Sequence, residues 1–162
     1  MARCKLLVAA IKRNPCSAEA YIRLGARLAP GETVRLANRR LMTPRDLFIE
    51  AIKHDDTSEA YMLRSEAYTN LAARLSAGET VPLLDGRVMT ERQLYVAAIE
   101  HGPCYSPAYY NLGRCLAAGE TVRLADGRLM TPRDLFVAAI KHDRSSSEAY
   151  TTSLPVFLRT KP

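Results

Sequence analysis

Three histidines, four cysteines and a recurring set of arginines are the side chains of this sequence that could do chemistry. His54, His101 and His142 stand in the words EAIKHD, AAIEHG and AAIKHD. Three imidazoles could hold a divalent ion or move protons. Their separations of 47 and 41 residues spread them one unit apart along the chain, so meeting at one ion demands unusual curvature. We expect them instead at helix C-termini, where a cation meets the negative end of the helix dipole. Glu50 with Lys53 and His54 should pair on the surface of one such helix. Cys4, Cys16, Cys104 and Cys115 form no C-x-x-C pair, and no histidine lies at zinc-ligand spacing, which predicts free thiols. No Ser-His-Asp order, phosphate loop or paired-carboxylate cleft is visible, so the reading is a protein that is not an enzyme and needs no metal or other cofactor.

The arginines recur more densely. Arg35, Arg39, Arg40 and Arg45, then Arg87 and Arg92, then Arg123, Arg128 and Arg133 would form a basic stripe able to meet phosphates. Glu32, Glu79, Glu120, Asp85 and Asp126 are interleaved with them, which predicts local salt bridges on a solvated edge. No base-stacking aromatic accompanies the arginines, so nucleic acid is the weaker reading. The net charge of +6 permits acidic partners without requiring them.

These residues recur because the sequence repeats. SPAYYNLGRCLAAGETVRLADGRLMTPRDLFVAAIKHD, from Ser106 to Asp143, has earlier counterparts at Ala18–Asp55 and Ser65–Gly102. Gly31, Gly78 and Gly119 of the Gly-Glu-Thr-Val words lie 47 and 41 residues apart. A unit of 41 with one insertion of 6 explains this spacing, and periods of that size mark arrays whose units bury apolar faces against their neighbours. The division is a lone second helix over 1–16, copies over 17–56, 57–103 (with the insertion) and 104–144, then a partial first helix and tail over 145–162, all in one domain.

Each copy reads as helix, hairpin, helix. Ser17 caps a helix expected over 18–29, whose apolar face is Tyr21, Leu24, Gly25 and Leu28, and Gly31 should stop it. Around Asp126-Gly127 apolar and polar residues alternate, which predicts a hairpin with a type I′ turn; Asp85-Gly86 repeats it. In the first copy Arg39 replaces the glycine, so a wider turn is expected there. Pro82 removes a ladder donor and suggests an edge strand. Thr43 with Asp46, Thr90 with Gln93 and Thr131 with Asp134 are capping boxes that open the second helices. Leu47, Phe48, Ala51 and Ile52, with their counterparts, form the core stripe. In the middle copy Tyr61, Tyr68 and Leu75 are seven apart and predict one helix over 58–77, the alternative being a break near Arg64.

The composition is that of an ordinary globular domain, 48% apolar and 25% charged. The longest apolar run, Leu6–Ile11, is far too short to span a membrane. With Lys12 and Arg13 where a cleavage site would lie, it is not a signal peptide either. The expectation is a cytoplasmic protein with no membrane association.

The helix pairs resemble the tetratricopeptide repeat family. Its W-x-x-L-G-x-x-Y pattern is met as Tyr21-x-x-Leu24-Gly25-x-x-Leu28, Tyr68-x-x-Leu71-Ala72-x-x-Leu75 and Tyr109-x-x-Leu112-Gly113-x-x-Leu116. Phe48 and Ala51, Tyr95 and Ala98, and Phe136 and Ala139 match its second helix, and Pro15 and Pro103 match its terminal proline. This unit is longer than the family's ~34 residues, the surplus being the hairpin. The resemblance implies an α-α superhelix, a mainly α solenoid, with a β-hairpin inserted in each repeat.

It also implies a non-enzymatic scaffold that binds a peptide or protein in a concave groove of first helices. Carried over, the groove residues are Glu19, Ile22, Arg23 and Ala26, then Glu66, Thr69, Asn70 and Ala73, then Tyr110, Asn111 and Arg114. Asn70 and Asn111 match the family's asparagine that holds a ligand backbone. With Arg23 and Arg114 they suit an extended peptide or a carboxylate. The rival expectation is a self-assembling structural protein, because a lone second helix and a partial first helix each present an apolar face, which head-to-tail homo-oligomers would cover, as would the remainder of a longer array.

Overall fold

The computed structural model describes residues 2–54 and 61–143. Within them the chain is mainly helical, with three short two-stranded antiparallel hairpins. The order is α1 (Ala2–Arg13), α2 (Ala18–Gly25), β1 (Val34–Arg35), β2 (Leu41–Met42), α3 (Pro44–Lys53), α4 (Tyr61–Ala72), β3 (Thr80–Pro82) and β4 (Val88–Thr90). It continues with α5 (Glu91–His101), α6 (Ser106–Cys115), β5 (Val122–Arg123), β6 (Leu129–Met130) and α7 (Pro132–His142). Each helix packs on the next in sequence, and α2, α4 and α6 also pack side by side.

The helix starts follow from local chemistry. The Thr43 hydroxyl accepts from the Asp46 amide at 3.2 Å while the Asp46 carboxylate accepts from the Thr43 amide at 2.8 Å. Thr90 with Gln93 and Thr131 with Asp134 repeat the reciprocal cap. Two N-terminal amides that would otherwise lack partners are satisfied at each start. The stripes then bury: Leu47, Phe48, Ala51 and Ile52 on α3, Leu94, Tyr95, Ala98 and Ile99 on α5, and Leu135, Phe136 and Ala139 on α7. Each large side chain so removed from water contributes on the order of 2 kcal/mol. Ile140, at the fourth place on α7, is half-buried.

α2 stops at Gly25 rather than at residue 29. Gly31 does not stop the helix: with φ 84° it closes a separate turn in which the Glu32 amide donates to the Ala29 carbonyl at 3.1 Å. The Glu32 carboxylate accepts from the Ala29 amide at 2.8 Å, and Glu79 and Glu120 do the same for Ser76 and Ala117. Positive φ at the third position is the signature of a type II turn.

The hairpin turns are not of type I′. In the third hairpin the Gly127 amide donates to the Leu124 carbonyl and the Leu124 amide to the Arg128 carbonyl, both at 2.9 Å. Gly127 alone has positive φ, at 85°, so this is a three-residue loop closed by a left-handed residue. The Asp126 carboxylate accepts from the Arg128 amide at 3.0 Å and fixes the bend. Arg39 adopts φ 64° and keeps the same two bonds, so the first turn is not wider; the arginine bears the strain that glycine avoids. Pro82 pairs with Val88 in a two-stranded ladder, where every strand is an edge.

The helix of the middle copy, α4, runs unbroken past Arg64 but ends at Ala72. Tyr61 is 55% exposed while Tyr68 is buried, so the seven-residue spacing is not one buried face. Residues 55–60, where that helix was expected to begin, and residues 144–162, assigned to the partial helix and tail, lie outside the described residues.

Candidate functional site

Two surfaces carry the expected functional residues. On the face of the first helices, Arg23 and Glu19 are both exposed and bridge at 2.7 Å along α2. Glu66 lies on the neighbouring α4. Burial raises its carboxyl above the usual range, with Arg23 opposing and Glu19 adding to the rise, so charges of α2 and α4 share one field. Asn70 and Asn111 are half-buried. Tyr110 meets Phe136 edge-on at 5.7 Å, and the Arg114 guanidinium lies 5.8 Å from the Tyr110 ring centre, within cation–π range. Ile22 and Thr69, expected on this face, are buried at 1% and 4% exposure. The side-by-side packing of α2, α4 and α6 takes that position out of solvent. The Thr69 hydroxyl has no hydrogen-bond partner.

The hairpins present the other surface. Arg35, Arg39, Arg40, Arg87, Arg123 and Arg128 are all exposed. Arg87 donates to the Asp85 carboxylate at 2.7 Å and to the Tyr68 hydroxyl at 3.0 Å. Arg128 meets Asp126 at 2.7 Å in the same way. Amides of Arg87 and Arg128, then their guanidinium groups, hold Asp85 and Asp126 below the usual carboxylate range. The Arg123 guanidinium donates to the Gly127 carbonyl at 3.1 Å. The expected local salt bridging is present, yet it engages only part of the arginine set.

Two of the clefts that the hairpins wall contain arginines of this set. One, of about 440 Å³, lies among Ile52, Arg64, Tyr68, Leu83, Arg87 and His101. The other, of about 330 Å³, has Arg87 and Met89 of the second hairpin on one side, Val122 and Arg123 of the third on the other, and Val96 of α5 between.

The histidines stand at or just past the ends of α3, α5 and α7, as expected, and none meets another. Each stacks on a tyrosine of its own copy: His54 on Tyr21 at 5.9 Å, His101 on Tyr68 at 5.4 Å and His142 on Tyr109 at 5.3 Å. The residue-type reading missed these stacks, although their constant spacing of 33 residues carried the signal. Burial, then Arg64, lowers the His101 pKa. Glu50 accepts the expected pairs, with His54 at 3.3 Å and Lys53 at 3.9 Å, but its side chain is only 12% exposed, so the pairing does not lie on the surface as expected.

The four cysteines are free thiols. The Cys115 thiol, half-buried and donating to Glu91 at 3.2 Å, is pushed up to about 12, first by its burial and then by Glu91. Among the described residues no three His, Cys, Asp or Glu side chains gather closely enough to hold a metal ion, and no helix is long and apolar enough to cross a membrane. Comparison with protein-family models, with curated proteins and with solved structures gives no significant match to the chain.

Proposed function

We propose that the chain is a non-enzymatic, tetratricopeptide-like scaffold that binds a peptide or protein partner across the face of α2, α4 and α6. The observation that carries this reading is the side-by-side packing of those three helices, with Arg23, Glu66, Asn70, Asn111 and Arg114 distributed over them. A ladder of amides and guanidinium groups on neighbouring helices suits the backbone and carboxylates of an extended peptide. Free thiols on all four cysteines accord with a cytosolic setting.

The test is Asn111→Ala combined with Arg114→Ala, used as bait for partner capture. Loss of the captured protein with helicity unchanged supports the reading, and retained capture removes this face from it.

A second reading, head-to-tail association of copies, draws on Val137. This residue of α7 is 59% exposed, whereas Ile49 and Val96 at the corresponding places on α3 and α5 are partly buried. Association would cover it. A sedimentation coefficient independent of protein concentration argues against this reading.

A further inference from the structure

The hairpin edge combines charge and apolar exposure in a pattern that neither reading uses. Leu41, Val88 and Leu129 occupy the same place in the three hairpins and are 58%, 60% and 59% exposed. Their cross-strand partners are Arg35, Pro82 and Arg123, so in two hairpins a guanidinium lies directly beside an aliphatic side chain. Over 34–42, 81–89 and 122–130 six arginines face two aspartates, which places four of the chain's net +6 charges on this edge. The second and third hairpins share the cleft of about 330 Å³, lined by Arg87, Arg92, Arg123 and Glu100 with the apolar Met89, Val96 and Val122; Arg87 is bound to Asp85 and Arg92 to Glu120, and Arg123 donates to the Gly127 carbonyl.

We propose that this edge, centred on the cleft between the second and third hairpins, docks an acidic segment of a protein partner that carries carboxylates and aliphatic side chains on one face. The excess of arginine supplies the complement to carboxylates. The exposed Leu41, Val88 and Leu129 lose water only against an apolar partner, which a phosphate backbone does not offer. No aromatic residue occurs in the three hairpin segments, so the stacking that single-stranded nucleic acids use is missing. The two-stranded ladders keep an open edge to which an extended segment can add its own backbone.

The test uses the full chain and fluorescence anisotropy near physiological salt. The probe is a labelled peptide repeating Glu-Ser-Leu-Ser, which in extended form presents glutamate and leucine on one side. Controls are the same peptide with serine for leucine and an oligothymidylate strand of equal charge. Saturable binding of the first peptide is expected, weakened about tenfold or more by Arg123→Glu, by Val88→Ser and by loss of leucine. Asn111→Ala with Arg114→Ala should leave it unchanged, which separates this edge from the helix face. Both hairpin substitutions are at exposed positions, and circular dichroism confirms folding. No binding, binding indifferent to both hairpin substitutions, or tighter binding of oligothymidylate overturns the proposal.

Discussion

Arg92, in the first turn of α5, holds the Glu120 carboxylate at 3.0 Å and the Cys115 carbonyl at 2.9 Å. Arg45 of α3 makes the same fork to Glu79 and to the Arg74 carbonyl. Each arginine thus ties the start of one second helix to the end of the following first helix and to the turn beyond it. The Arg45 fork, followed by the Ser76 amide, lowers the Glu79 pKa; for Glu120 the Ala117 amide leads and Arg92 follows.

The forks predict a ranking. Arg45 is 38% exposed in its side chain and Arg92 48%, and screening weakens the more exposed pair. Arg45→Ala should therefore lower the melting temperature more than Arg92→Ala. Arg45→Lys should recover little, since an ammonium cannot serve a carboxylate and a carbonyl in one plane. Thermal unfolding followed by circular dichroism checks both statements, and a full rescue by lysine would contradict them.

At the first hairpin, Arg39→Gly should stabilise the protein by about 0.5–1 kcal/mol, relief of left-handed strain outweighing the added freedom of the unfolded chain. Gly127→Ala in the third hairpin should cost about 1 kcal/mol, because its φ of 85° is the region alanine avoids. Urea midpoints give both values. Opposite signs in these two experiments would support the turn geometry, and equal signs would refute it.

Two buried hydroxyls join the helices of a pair. Ser65 donates to the Ala98 carbonyl at 2.6 Å and Ser106 to the Ala139 carbonyl at 2.9 Å. Ala98 and Ala139 keep their helical partners, the amides of Gly102 and Asp143, so Ser65→Ala or Ser106→Ala removes one bond without leaving a carbonyl bare. A loss of about 1 kcal/mol each is expected in chemical denaturation. The first copy has Ala18 at this place and does without the bond.

His101 makes stability depend on pH. Its folded pKa lies below the ordinary 6.5, chiefly through burial, so the unfolded chain binds the extra proton first. Stability should be full above the unfolded value and fall as pH drops through it toward the folded one. The melting temperature should begin to decline as pH falls through the ordinary histidine value of 6.5, and His101→Gln should flatten that decline. Asp85, Asp126, Glu79 and Glu120, all held below their usual range, remain ionised there. An unchanged slope in the variant would exclude His101 as the source.

What could be read from the sequence was what closes over a few residues. The capping boxes at Thr43, Thr90 and Thr131 need only four consecutive positions, and the stripes on α3 and α5 need only helical spacing. The hairpins are legible as hairpins, but an Asp-Gly pair in sequence points to both central places of a two-residue turn, whereas the bend begins one residue earlier and only the glycine is left-handed. Ile22 and Thr69 stand at positions that the family resemblance puts on an open face, and neither the resemblance nor the spacing along one helix says that a neighbouring helix covers them. The stacks of Tyr68 on His101 and Tyr109 on His142 join residues 33 apart, and no local rule connects positions so distant until both helices are in place.

Each ribbon closes its backbone ladder on its own two strands and shares none with the next. The fingers are therefore separable parts. Rebuilding the exposed tip of one loop leaves its siblings zipped, provided that the leucine anchoring that loop in the core, Leu36, Leu83 or Leu124, is kept in place.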